Sequence, residues 1–138
     1  MAGTTASLNL SSNEVDTSWD SVVIVCNLET IPGGKTLDVE TVVFAPEYIR
    51  AGHIIIEETA TGILRPMPVT GSAYAALPAG HTYKGVLVAT ILKAQPFAAI
   101  MLRGSVNQQA FVNGGGYSGV PAAALAITGI PLIRFTKD

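Results

Sequence analysis

The chain has 138 residues and a formal net charge of −2; charged residues make up 13% of it and hydrophobic ones 49%, and its mean hydropathy is +0.43. An ordinary soluble domain carries roughly 25% charged residues, so this chain has too few to cover its own surface and must bury the surplus in a core or against protein partners. The balance argues against a nucleic-acid partner, because the bases are dispersed through apolar strands and the pI is about 5.6, and against a membrane, because no apolar run approaches the ~20 residues that span a bilayer.

The length suits one domain that buries roughly two-thirds of its unfolded surface. The first residues show neither a basic region nor an apolar segment of signal-peptide length, which implies a protein made and used without secretion. Residues 1–20 are rich in Ser, Thr, Asn and Ala, hold no base, and carry isolated apolar residues Leu8, Leu10, Val15 and Trp19 among the acids Glu14, Asp16 and Asp20. That composition is poor material for a core and predicts an extended arm that docks on another chain by strand addition. The alternative for Trp19 is that it caps this protein's own core. The domain proper is then residues 21–138.

Residues 21–29 predict a strand, with Cys26, the single cysteine, as a buried free thiol. Ile31-Pro32-Gly33-Gly34-Lys35 supplies turn chemistry, and the alternation in residues 37–44 predicts a half-exposed strand. Residues 46–52, Pro at one end and Gly at the other, have the form of one helical turn. Residues 53–58 and 62–69 predict a β-hairpin closed by Thr59-Ala60-Thr61-Gly62. After a break at Leu77-Pro78-Ala79-Gly80, residues 84–103 hold two long apolar runs separated at Ala94-Gln95-Pro96; such runs are strands buried on both faces, by this chain or by a neighbouring subunit. A flexible tip at residues 113–116, a short Ala-rich helix at 121–127 and a last strand at 130–135 complete a mainly β chain with two or three short helices.

No catalytic or metal constellation assembles, and no cofactor is expected. His53 and Glu57 share a strand face but stand ~13 Å apart at about 3.3 Å per residue, too far for one metal ion. His81 beside Gly80 reads as a hydrogen-bonded loop residue. Gly116-Tyr117-Ser118-Gly119-Val120 lacks the fifth-position glycine of a nucleophile elbow, and the Lys of Gly80-His81-Thr82-Tyr83-Lys84-Gly85 precedes the second glycine, where a phosphate loop needs it after. The charges are divided: residues 1–58 hold nine acids and two bases, residues 59–138 six bases and one acid. Either an acidic portion pairs with a basic one inside one subunit, or complementary surfaces set the register between subunits.

The order Ala60-Thr61-Gly62, Pro66-Met67-Pro68-Val69, Gly85-Val86-Leu87-Val88, Ala98-Ala99-Ile100-Met101-Leu102-Arg103-Gly104 with Val106-Asn107, an Ala-rich segment and Gly129-Ile130 resembles the head decoration proteins of tailed bacteriophages, the lambda type and its relatives, over roughly residues 53–135. The resemblance implies a β-tulip-like fold, usually trimeric, on the outside of an icosahedral shell, where it cements neighbouring major capsid proteins. It also implies that the N-terminal arm pairs with a capsid strand, which assigns capsid binding to Leu8, Leu10, Glu14, Val15, Asp16, Trp19 and Asp20. The chain departs from the pattern in its longer acidic front section, residues 21–52, which leaves a head-fibre base, with other minor head proteins as partners, as an alternative.

The expected function is therefore structural: a virion protein that bridges capsomers, with Ile100 and Leu102 or their opposite-face neighbours at the contact of a homotrimer. A host-surface or glycan-binding head module is the second reading, and it requires exposed rings at Tyr74, Tyr83 and Tyr117.

Overall fold

A computed structural model of the protein describes residues 17–39, 48–71, 73–113 and 132–136. The first described element is a single helical turn, α1 (Asp20–Val23), which passes into β1 (Ile24–Thr30) and β2 (Lys35–Thr36). Next come β3 (Tyr48–Ile49), β4 (Ile54–Glu58), β5 (Leu64–Pro66), β6 (Val69–Thr70) and β7 (Ala73–Tyr74). The remaining elements are β8 (His81–Leu87), β9 (Ile91–Leu92), β10 (Phe97–Ala98), β11 (Ile100–Asn107), α2 (Gln108–Asn113) and β12 (Ile133–Thr136). The architecture is mainly β, as the strand patterning predicts.

One sheet organises it, in the order β1-β11-β8-β4-β5, with β12 also paired to β11. β11 is the hub. Along one side it takes β1 antiparallel, from Ile24 opposite Val106 to Thr30 opposite Met101. Its other side is shared: β8 pairs antiparallel with Ile100 and Met101, and β12 runs parallel beside Gly104 to Asn107. The short strands pair two by two, β2 with β10, β3 with β9 and β6 with β7.

Period-two alternation sends successive side chains to opposite faces, and in the middle of the sheet both faces are covered. Ile54 and Ile56 enter a cluster with Val86, Met101, Val106 and Phe111, whereas Ile55 enters a second cluster with Leu87, Ile100, Leu37 and Ile49. Each of these isoleucines is fully buried, worth roughly 1.5–3 kcal/mol apiece in apolar transfer. The three-isoleucine run is thus a strand buried on both sides, and the second cover comes from this chain's own residues. Close approach explains two glycines of the central strands. A Cβ at Gly85 would meet the Met101 carbonyl, and one at Gly104 would meet the Cys26 carbonyl and the Met101 sulfur.

Hairpin β4–β5 matches its predicted turn, with Gly62 N–H donating to the Glu58 carbonyl at 2.7 Å. Other expectations need correction. The strand expected over residues 21–29 starts only at Ile24, because Val22 and Val23 donate to the Trp19 carbonyl and close a helical turn. Of the strand expected over 37–44, residues 40–44 lie outside the described residues; among those described the pairing in this stretch is β2, and Leu37 and Asp38 donate to the Pro96 and Leu64 carbonyls. No helical turn forms across 48–52: Tyr48 and Ile49 pair with Leu92 and Ile91, and the reversal is made at Ala51-Gly52, where Gly52 has φ 94°. The helix expected at 121–127 and the tip at 114–116 lie outside the described residues. An unanticipated helix, α2, follows β11 directly because the Asn107 side chain accepts from the Ala110 N–H at 3.0 Å and so caps it.

Candidate functional site

The sequence-based docking residues fall into three groups. Leu8, Leu10, Glu14, Val15 and Asp16 lie outside the described residues. Trp19 and Asp20 are held by the domain: Trp19 packs half-buried against the first core cluster, as the core-capping alternative has it. Asp20 accepts from the Thr90 hydroxyl at 2.6 Å and the Thr90 N–H at 2.9 Å, and the same hydroxyl accepts from the Ala51 N–H at 3.1 Å. This fastens α1 to the loop after β8. Ile100 is fully enclosed in the second cluster, so it cannot meet another subunit. Leu102, two residues on, is half-buried. It borders an open groove of about 490 Å³ together with Ile31, Ile63, Leu64 and Lys35, across which Lys84 Nζ meets Glu57 Oε2 at 3.2 Å.

Phe97 of β10, Leu132 and Ile63 are exposed singly, and a run of exposed apolar residues lies at the sheet margin. β1 pairs on one side only among the described residues, and Val25 and Leu28 are 58% and 65% exposed, with Val22 of α1 at 49%. Three register shifts against β11 twist the strand and turn side chains of both parities to solvent. Cys26 is consequently exposed, not buried as its apolar neighbours suggest. Its thiol is accessible on an edge strand that carries one charge, Glu29.

Two further polar features sit inside the fold. Arg65, whose side chain is 7% exposed, donates from Nε to Asp38 Oδ2 at 2.9 Å and from Nη1 to Glu58 Oε2 at 3.1 Å. Nη1 also stands 2.9 Å from His81 Nε2. Thr61 and then Arg65 hydrogen-bond Glu58 and hold its carboxyl below the usual range. His53, completely buried at the entry to β4, donates from Nε2 to the Met67 carbonyl at 2.9 Å and meets the Tyr74 ring edge-on. Burial lowers its pKa to about 4, against the partial opposition of the Met67 hydrogen bond. All three described ion pairs join an acid of residues 1–58 to a base of residues 59–138. The charge division is therefore spent, for these residues, within the subunit.

Two of the three rings asked for by glycan stacking are not presented. Tyr74 and Tyr83 are both buried in the first cluster, and the Tyr74 hydroxyl accepts from the Ile54 N–H at 3.2 Å; Tyr117 lies outside the described residues. Among those residues no group of His, Cys, Asp and Glu could hold a metal ion, and no helix is long and apolar enough to cross a membrane. No family model, curated protein or solved structure matches the chain.

Sequence reasoning missed Arg65 and the exposure of β1. The division of charge was the signal for the first, since it requires an acidic partner for a base in an apolar strand. Nothing in Val22-Val23-Ile24-Val25-Cys26 distinguishes an edge from a centre.

Proposed function

We propose that this chain is a structural protein of a bacteriophage virion, made in the host cytoplasm and mounted on the outer surface of an icosahedral capsid, where it stabilises the shell by bridging major capsid proteins. The observation that carries the reading is the apolar margin of the sheet: Val22, Val25 and Leu28 stand exposed on and beside an edge strand open among the described residues. An edge of this kind is a template for strand addition by another chain. Only residues 17–23, with the turn α1, separate it from residues 1–16, so arm and edge would act as one docking element. Self-association, as a homotrimer, would draw on the same margin and on the Leu102 groove, since Ile100 is enclosed. Many copies of a modest contact, each near a standard ~1,600 Å² interface, stabilise a shell collectively.

The glycan-binding alternative loses two of its three rings with the burial of Tyr74 and Tyr83. The test is decoration of purified particles that lack this protein, followed by cosedimentation and electron microscopy. Deleting residues 1–16 and, separately, Leu28→Lys should each cut occupancy at least about tenfold, the loss expected for a central interface residue. Both proteins should melt as the parent does. Full occupancy by both would refute the reading.

A further inference from the structure

Two surfaces of the chain complement each other. The groove bordered by Leu102 is the far end of the sheet face that the second cluster covers: Ile55 and Ile100 lie in that cluster. Glu57 and Leu102, two residues on along the same strands, share that face by alternation and line the groove. Residues 31–36 and the hairpin residues 62–64 border it, and its apolar lining is Ile31, Pro32, Ile63, Leu64 and Leu102. Of its charges, Lys84 and Glu57 neutralise each other. That leaves Lys35, which is exposed and makes no ion pair among the described residues. The groove is an apolar trough with one positive charge to spare.

The margin has the opposite character. Val25 and Leu28 of β1 are exposed, and the one charge of that strand is the exposed carboxylate of Glu29. Arg103 lies opposite Glu29 in the sheet register, but the two form no ion pair. One copy cannot join its own two surfaces. β1 is fixed along β11 at one edge of the main sheet, whereas Ile63 and Leu64 belong to the hairpin whose second strand, β5, is the other edge. Four strand spacings of ~4.8 Å put the two edges roughly 19 Å apart.

We infer that the β1 margin of one copy seats in the groove of a second copy, with Leu28 against Ile63 and Leu102 and with Glu29 beside Lys35. The contact joins two different surfaces that lie toward opposite edges of one sheet, so it runs head to tail. A head-to-tail contact closes into a ring when the rotation between copies divides a full turn. Apolar side chains that face water on both surfaces leave it together, and the one uncompensated charge of each finds its opposite. Matched charges of this kind fix which faces meet and in what register. The inference rests on the self-association reading above and names its two faces; it makes no use of a shell protein.

The test is sedimentation of the full chain alone, from about 1 to about 100 µM, because association follows concentration by mass action. The parent should pass from monomer to a closed oligomer over that range. Leu28→Lys and Ile63→Lys, one on each surface, should each cut the association constant at least about tenfold, as loss of a central contact residue does. Glu29→Lys and Lys35→Glu should each weaken association several-fold, and the two reversals combined in one chain should recover most of the loss, which a misfolded variant cannot do. Leu132→Ser, at an exposed apolar residue outside both surfaces, should leave association unaltered. A parent monomeric throughout, a double reversal weaker than either single one, or a loss in Leu132→Ser equal to that in Ile63→Lys would each overturn the contact. Decoration of particles is read separately, so capsid binding by a chain that stays monomeric alone would sink this inference and leave the capsid reading standing.

Discussion

Two apolar runs of nearly the same composition have opposite fates in this fold. Ile54-Ile55-Ile56 lies in the middle of the main sheet, covered on both faces, with no residue exposed; Val22-Val23-Ile24-Val25 lies at its margin, where Val22 and Val25 face solvent. The difference is made by neighbours. β4 has a strand on each side and a core cluster above and below, whereas β1 has, among the described residues, β11 alone and a backbone bent by register shifts. Apolar surface kept at an edge adds little to the stability of the isolated subunit, and under the proposed function it serves as the contact with another chain.

The comparison is most severely tested at its buried pole. Ile55→Ala should lower unfolding free energy by about 2–5 kcal/mol in chemical denaturation, the cost of a cavity in a well-packed core. A smaller loss would mean that the second cluster is loosely packed and that the sheet is effectively one-sided.

Next is the buried imidazole beside the same strand. His53 takes up its proton only near pH 4 in the fold, against 6.5 for the free side chain, so between these values the unfolded chain binds more protons. Stability is complete above about pH 6.5 and declines as pH falls toward 4, by at most about 3 kcal/mol. Denaturation midpoints across that range, compared with His53→Gln, check it. The variant should have a flatter profile, and an equally steep one would assign the dependence to the carboxylates.

The smallest effect belongs to the margin. Leu28→Ala should alter stability by no more than about 0.5 kcal/mol, as surface substitutions do. If it cost as much as Ile55→Ala, β1 would be covered in the isolated protein, and the contrast between the two runs would collapse.

The centre of the fold was legible because local signals agreed. Thr59-Ala60-Thr61-Gly62 marked the turn of a hairpin, and the long apolar runs of residues 84–103, bounded by turn chemistry, marked strands covered on both faces. Such a run does not reveal who supplies the second cover, which is why Ile100 was assigned to a subunit contact and is found against Ile55 and Leu87. The turn near residue 50 was misread for a related reason. Pro46 and Gly52 punctuate a helix or a bend equally well, and what decides is the pairing of Tyr48-Ile49 with Ile91-Leu92, distant in sequence. Of the docking residues, Trp19 and Asp20 were placed in an arm by composition, but their partners, the first core cluster and Thr90, are tertiary and left no local trace. Asn107 did leave one, a cap residue ahead of Gln-Gln-Ala-Phe, overlooked because it closes so apolar a strand.

Because β11 takes β1 on one side and both β8 and β12 on the other, the order of folding is constrained by the order of synthesis. β1 emerges long before β11, its partner strand among the described residues, and β4 and β8 can meet each other but not complete the sheet. Contacts this distant make for slow closure. Until β11 arrives, the isoleucine run of β4 and the valines of β1 are exposed together on a growing chain, the condition under which β-rich proteins aggregate. A protein made in many copies at once would then depend on the speed with which a single late strand is captured, and Gly104, which lets β1 and β11 come close enough to pair, becomes a determinant of yield.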